Sequence, residues 1–175
     1  HLRVFDLKKN DINGGSITYY ICHENAKFKT NLKKINNIVK EENRLKLEKI
    51  NTYKKLEKNI IQQKIKLISL IKKIIKDGKI IHGYGASTKG NVLLQYFKIT
   101  NKFIKYIADR NPKKSGFYTP GTKIKIITEK KSRKIKPDYY LVLPWHFKKE
   151  ILQREKKIMK SGTKLIFPLP KLEIK

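Results

Sequence analysis

The chain has very few of the residues that stabilise secreted or metal-bound folds. Cys22 is the only cysteine among 175 residues, so neither an internal disulfide nor a cysteine-based zinc site can form within the chain. No apolar run reaches the length of about 18 residues that a transmembrane helix needs. A signal-peptide pattern is also absent from the first residues. These absences predict a cytoplasmic protein that does not contact a membrane.

Acidic residues are scarce relative to basic ones. Lysine and arginine number 43 against 14 aspartates and glutamates, which gives a formal net charge of +29. Such an excess suggests a polyanionic partner. However, only five of these cations are arginine, the side chain that binds bases and phosphates with paired hydrogen bonds. The lysines are spread along the chain among many isoleucines and asparagines, as A/T-rich codons would produce, so nucleic-acid binding is the weaker hypothesis.

The first segment, residues 1–30, is predicted to be a β-hairpin. Residues 2–7 alternate in polarity and residues 16–22 are rich in β-forming side chains, while the Asn/Asp/Gly cluster at 10–15 favours a turn. A two-stranded hairpin is marginally stable alone. Because the chain begins with histidine rather than methionine, we expect it to be part of a longer protein whose upstream strands complete this sheet.

The remaining residues divide into a helical segment and an α/β segment. In residues 31–77, isoleucine and leucine recur every three or four positions towards the end, which predicts a helix with one apolar face. Residues 78–175 alternate strands and helices, so we predict an α/β fold with a Rossmann-like, mostly parallel sheet and flanking helices. The predicted strands of this third segment are 79–82, 103–108, 123–127, 138–143 and 163–168, and its predicted helices are 87–98 and 147–160.

A glycine turn between the first strand and the first helix of this α/β segment is the strongest candidate for ligand binding. Glycines let the chain turn tightly and let a phosphate approach the backbone, and a helix N-terminus presents N–H groups to an anion. The spacing is neither Gly-x-Gly-x-x-Gly nor a P-loop, so a tight turn without a ligand stays open as the alternative. The candidate substrate-binding residues are Gly83, Gly85, Ala86, Ser87, Thr88, Lys89, Gly90 and Asn91.

Three further candidates follow strands of the predicted sheet. Asp109 ends the second strand, where doubly wound folds place a carboxylate that binds ribose, although it can instead cap nearby N–H groups. Trp145 offers a stacking face, and His146 offers a hydrogen-bond donor or an acid–base group. The alternative is that this pair caps the core and the following helix. His82 lies inside a strand and is predicted to be packed in the core.

Several blocks resemble the C-terminal domain of C-methyltransferases that act on nucleotide-sugars. The glycine turn followed by Leu93-Leu94-Gln95-Tyr96 is similar to the motif of that family, and four more blocks follow in the family's order. Residues 2–6 and 14–16 resemble the end of the family's catalytic domain, although Asn13 stands where the family often has histidine. The four later blocks are Asp109-Arg110-Asn111-Pro112, Thr119-Pro120-Gly121-Thr122, Val142-Leu143-Pro144-Trp145-His146-Phe147 and Ile166-Phe167-Pro168-Leu169-Pro170.

The resemblance implies a larger enzyme with a zinc-binding domain, a domain that binds S-adenosylmethionine, and this Rossmann-like domain. Residues 1–30 would be the last hairpin of the methyltransferase domain, residues 31–77 a helical connector, and residues 78–175 the C-terminal domain. The zinc, the methyl donor and the catalytic residues are expected upstream of His1, and no metal site is expected in this chain.

The function implied is methylation of a carbon beside the keto group of a nucleotide-linked deoxysugar. This chain would help to bind the nucleotide-sugar, with the upstream methyltransferase domain as its partner, and would be inactive alone. A stand-alone nucleotide-binding module without catalysis stays open as the alternative.

Overall fold

The computed structural model describes all residues, 1–175, and its backbone contacts divide the chain into two units, 1–59 and 60–175. The three segments predicted from the sequence, 1–30, 31–77 and 78–175, are defined by sequence pattern and family resemblance. Backbone contacts do not test these limits, so the three segments stay a prediction. None of the helices is both long and apolar enough to cross a membrane.

Unit 1 contains the predicted hairpin. Strand β1 (Leu2–Asn10) pairs antiparallel with β2 (Ser16–His23). The guanidinium of Arg3 donates hydrogen bonds to three carbonyls and one hydroxyl in residues 24–30, and so it fixes the segment that leaves the hairpin. Helix α1 (Leu32–Leu45) follows, and the side chain of its N-cap residue accepts a hydrogen bond from a backbone amide of the first turn.

Unit 2 contains a six-stranded sheet. Its strands, in spatial order, are β5 (Lys125–Thr128), β4 (Tyr106–Asp109), β3 (Ile81–Tyr84), β6 (Tyr139–Val142), β7 (Lys164–Phe167) and β8 (Glu173–Ile174), and every pair is parallel except β7 with β8. This result confirms the predicted mostly parallel α/β fold. Helix α2 (Ile50–Lys76) begins in unit 1 and ends in unit 2. The other helices of unit 2 are α3 (Thr88–Phe97), α4 (Glu129–Ile135), α5 (Lys148–Arg154) and α6 (Lys156–Lys160).

Apolar cores cover both faces of this sheet, as a parallel sheet requires. On one face, the last turns of α2 and the inner side of α3 pack against alternate strand residues, with Leu67, Leu94 and Phe97 fully buried. On the other face, Tyr84 and Tyr140 pack with residues of β7 and α5. Because side chains alternate across a strand, successive residues of β3 contribute to opposite cores.

Two short elements and one break were not predicted from the sequence. The seven-residue helix α4 and the two-residue strand β8 are too short to produce a recognisable period. The predicted helix 147–160 is interrupted at Glu155, whose φ and ψ of −95° and 13° separate α5 from α6. The carboxylate of Glu155 turns into the protein at this break, and it binds side chains from other elements.

Candidate functional site

The carboxyl edge of the sheet forms a cleft where the strand order reverses. From β3 the chain builds the sheet outward through β4 and β5 and then returns to β6 on the other side of β3, and open α/β sheets bind ligands at such a switch point. The cleft has a volume of about 380 Å³, within the usual range for small-molecule sites. Its lining residues are Tyr84, Gly85, Ala86, Ser87, Asp109, Arg110, Lys114, Glu129, Pro144, Phe147, Glu150, Ile151 and Arg154.

The glycines of the turn allow close packing of the backbone against neighbouring strands. Gly85 has a φ of +77°, which L side chains rarely adopt, and a Cβ on it would lie 2.9 Å from the ring of Pro144. A Cβ on Gly90 would lie 2.5 Å from Cβ of Leu143, because α3 begins directly against the sheet. These glycines are therefore required by the fold itself, whether or not a ligand binds.

Most backbone amides of the turn are already engaged inside the protein. An anion that approaches α3 therefore meets only the first turn of the helix rather than the whole glycine turn. The engaged amides are those of Gly85, which donates to the carbonyl of Ala108 at 2.7 Å, Ala86, which donates to Asp109 at 2.7 Å, Ser87, which donates to the carbonyl of Gly85 at 2.9 Å, and Gly90, which donates to Oγ of Ser87 at 3.0 Å.

The carboxylate of Asp109 connects the turn to the loop after β4. Its Oδ2 accepts the amide of Ala86 at 2.7 Å, its Oδ1 accepts the amide of Asn111 at 2.8 Å, and Nζ of Lys114 lies 3.5 Å away. The side chain lines the cleft but is largely buried. Because a carboxylate has about four acceptor positions, Asp109 retains room for one hydrogen bond to a ligand and cannot bind a ribose diol with both oxygens.

Trp145 and His146 do not line this cleft. Burial lowers the pKa of His146, and the positive charge of Lys89 lowers it further. The Nδ1 atom of His146 and the Oδ1 atom of Asn91 are both buried without a hydrogen-bond partner. Trp145 packs against both hydrophobic cores, as a residue that caps the core would.

The predicted substrate-binding residues therefore fall into two groups. Gly85, Ala86, Ser87 and Asp109 line the cleft. The others, which do not line it, are Gly83, Thr88, Lys89, Gly90, Asn91, Trp145 and His146. Whether either group binds a ligand stays a prediction.

Sequence reasoning missed a polar network at the side of the cleft. The carboxylate of Glu155 accepts hydrogen bonds from the hydroxyl of Tyr84 at 2.6 Å, from Nε of Arg154 at 2.8 Å and from Nη2 of Arg133 at 3.0 Å. Glu129 joins the network through Nη2 of Arg154 at 2.5 Å. Only Glu129 carried a usable signal, because it directly follows β5 at the carboxyl edge of the sheet.

Within this network, burial changes the ionisation of Glu129. Desolvation raises the pKa of its carboxyl group, and the nearby guanidinium of Arg133 only partly opposes that change. The cleft contains no histidine or cysteine, and no three His, Cys, Asp or Glu side chains of the chain cluster as metal ligands would. Polar and aromatic side chains make up much of its lining.

Comparisons with known proteins agree with this architecture. Residues 11–170 match the family of the C-methyltransferase C-terminal domain. The C-methyltransferase NovU of Streptomyces niveus is 31% identical over 169 residues, which are 97% of this chain and 40% of that protein. The chain thus spans less than half the length of this relative. Because the match extends over most of the chain, the chain belongs to the family of C-methyltransferase C-terminal domains.

Proposed function

We propose that this chain is the substrate-holding C-terminal part of a C-methyltransferase that uses S-adenosylmethionine and acts on a nucleotide-linked keto-deoxysugar. The observation that carries this proposal is the cleft of about 380 Å³ at the switch point of the sheet, in a chain of this family. Arginine, lysine and aromatic side chains line the cleft together, and a nucleotide offers both anionic oxygens and planar rings to such a surface.

We propose a separate role for each of the three sequence segments. Residues 1–30 belong to the end of a methyltransferase domain, residues 31–77 connect it, and residues 78–175 hold the nucleotide-sugar. The catalytic residues, the methyl donor and any zinc would then be bound by parts of the enzyme outside this chain, and the enzyme would act in the cytoplasm.

We propose no S-adenosylmethionine site in this cleft. The oxygens of Asp109, one of its carboxylates, already accept the amides of Ala86 and Asn111. We therefore assign no step of methyl transfer to these residues. The cleft residues would bind and orient the nucleotide, and its apolar wall would exclude water from one side of the ligand.

The purified chain is expected to transfer no methyl group. We place the site of the methyl donor outside this chain, and Asp109 in the cleft already accepts the amide of Ala86. A radiolabelled methyl-transfer assay with S-adenosylmethionine and a nucleotide-linked 4-keto-6-deoxysugar measures this. Turnover above that of the heat-denatured control would contradict the proposal that the catalytic residues lie outside this chain.

The chain is expected to bind a nucleoside diphosphate at the start of α3. Lys89→Ala should weaken binding by about 1–3 kcal/mol, because a charge-assisted hydrogen bond is lost. Gly85→Val should block close approach at the turn, although the strained φ and the contact with Pro144 also perturb its fold. Isothermal titration calorimetry measures both variants, and thermal melting reports any loss of folding.

A matched control is Lys72→Ala, which removes the same charge from an exposed position of α2. Its affinity should equal that of the unmodified chain. If Lys89→Ala and Lys72→Ala bind equally well and Gly85→Val retains full affinity, the turn has only a structural role.

A further inference from the structure

A buried carboxylate lies beside the cleft and organises two arginines. Glu155 is 1% exposed, yet three donors from three different elements satisfy it, namely the hydroxyl of Tyr84, the Nε of Arg154 and the Nη2 of Arg133. A buried charge is tolerated when it is paired and fully hydrogen-bonded in this way. The position of each arginine is therefore determined by the interior of the protein rather than by solvent.

Arg154 is the arginine of this network that reaches the cleft. Its Nε donates to Glu155, its Nη2 donates to Glu129 and to the Tyr84 hydroxyl, and its guanidinium carbon lies 5.3 Å from the centre of the Tyr84 ring. Because a guanidinium is planar and rigid, contacts at Nε and Nη2 also determine where Nη1 points. Nη1 makes none of these contacts, and the side chain is 38% exposed where it lines the cleft.

The other cations of the cleft are less suited to bind an anion. Lys114 donates to the carbonyl of Ala86 at 2.8 Å and lies 3.5 Å from Asp109, so its ammonium group is used by the turn. Arg110 is exposed to solvent, where a long side chain must lose conformational freedom on binding. Arg154 loses little, since protein contacts already order it.

The wall of the same cleft offers a surface for a planar ring. Pro144, Phe147 and Ile151 all line it, and Phe147 remains 46% exposed although it is a large aromatic side chain. A pre-ordered guanidinium beside an exposed aromatic ring suits a ligand that combines anionic oxygens with a ring. A nucleotide has both.

We infer that Arg154 binds phosphoryl oxygens of the nucleotide through its outward amino group, and that Glu155 is the positioning residue that holds it. This inference rests on the proposed function and adds to it a binding residue on the α5 side of the cleft. The diphosphate then lies across the carboxyl edge of β3, between Arg154 and the start of α3.

Arg133 provides a matched control for this inference. It also binds Glu129 and Glu155, but it does not line the cleft. Arg154→Gln and Arg133→Gln therefore remove the same charge from the same network, and only the first removes a donor that faces the cleft. The probes are thymidine and uridine diphosphates, with thymidine and uridine as uncharged counterparts, measured by calorimetry on the full chain.

We expect Arg154→Gln to weaken binding of the diphosphates by about 10- to 100-fold, as the loss of a charged hydrogen bond would, and to leave nucleoside binding unchanged. Arg133→Gln should bind diphosphates as the unmodified chain does. Glu155→Gln, which keeps the shape of the side chain, should also lower diphosphate affinity without affecting nucleosides, because the guanidinium is less firmly held.

Equal diphosphate affinities for Arg154→Gln and Arg133→Gln would overturn the inference and leave the proposed function intact. Failure of the unmodified chain to bind either diphosphate would overturn both together. Thermal melting of each variant shows whether a loss of affinity follows a loss of folding. A variant that melts as the unmodified chain does and binds only nucleosides supports the assignment.

Discussion

Acidification from pH 7 to pH 4 is expected to lower the free energy of unfolding by about 3 kcal/mol through His82 alone. This residue lies in β3, is almost fully buried, and shares a hydrogen bond of 2.8 Å between its Nδ1 and the Oγ of Ser132. Burial lowers its pKa to about 4, whereas an exposed histidine titrates near a pH of about 6.5.

Acidification lowers the stability because the unfolded chain takes up a proton at His82 more readily than the folded chain does. Between these two pKa values the unfolded chain binds a proton that the folded chain excludes, so stability is fully present above about pH 6.5 and is lost as the pH falls towards 4. The neighbours of the ring are Ser132, Tyr106 and Tyr140. None of these is a carboxylate that could stabilise an imidazolium.

The measurement is urea-induced unfolding at pH 7 and at pH 4, for the unmodified chain and for His82→Phe. Phenylalanine keeps a ring between Tyr106 and Tyr140 but does not titrate. Repulsion among the many lysines affects both proteins, so the difference between their pH dependences isolates His82. If both lose the same stability on acidification, the buried histidine makes no contribution to acid unfolding.

Phe97→Ala is expected to lower the free energy of unfolding by about 3–5 kcal/mol, the usual cost of removing a buried aromatic side chain. Phe97 lies at the end of α3, is 2% exposed, and packs in the core between α2 and the sheet. Loss of the ring leaves a cavity that rigid strands cannot fill. The same helix begins at the glycine turn, so its loosening should also weaken nucleotide binding.

The neighbouring aromatic residue gives the control. Tyr96 is on the same helix turn but is 49% exposed, and its ring makes a cation–π contact with Lys64. Tyr96→Ala should therefore cost no more than about 1 kcal/mol. Chemical denaturation of both variants tests the comparison, and similar losses for the two would show that α3 does not pack as described.

Local patterns predicted the elements of this fold well where they were long enough. The hairpin, the helix that ends near Lys76 and the strands from β3 to β7 were all identified, because alternation and helical periodicity are properties of consecutive residues. The ordered motifs also identified the family, which the comparison with known domains confirms. Helix α4 and strand β8 were missed because they have too few residues to show a period.

The candidate site could be predicted only in part. The sequence placed Gly85 and Asp109 at the carboxyl edge, since Gly85 follows one parallel strand and Asp109 ends the next. It did not indicate that the amides of the turn are engaged or that Asp109 is held by Ala86 and Asn111. Those bonds depend on how two loops meet in space.

The sequence by itself determined the family, the α/β order of the elements and the sheet edge at which the cleft lies, because each depends on residue type and short spacing. Only the tertiary structure decided which side chains share the cleft. Arg154 and Glu129 are 25 residues apart along the chain yet form an ion pair, and Glu155 breaks a helix to bind Tyr84. Such pairs form between residues that are distant in sequence and meet only when the strands and helices pack together. No pattern of neighbouring residues predicts them.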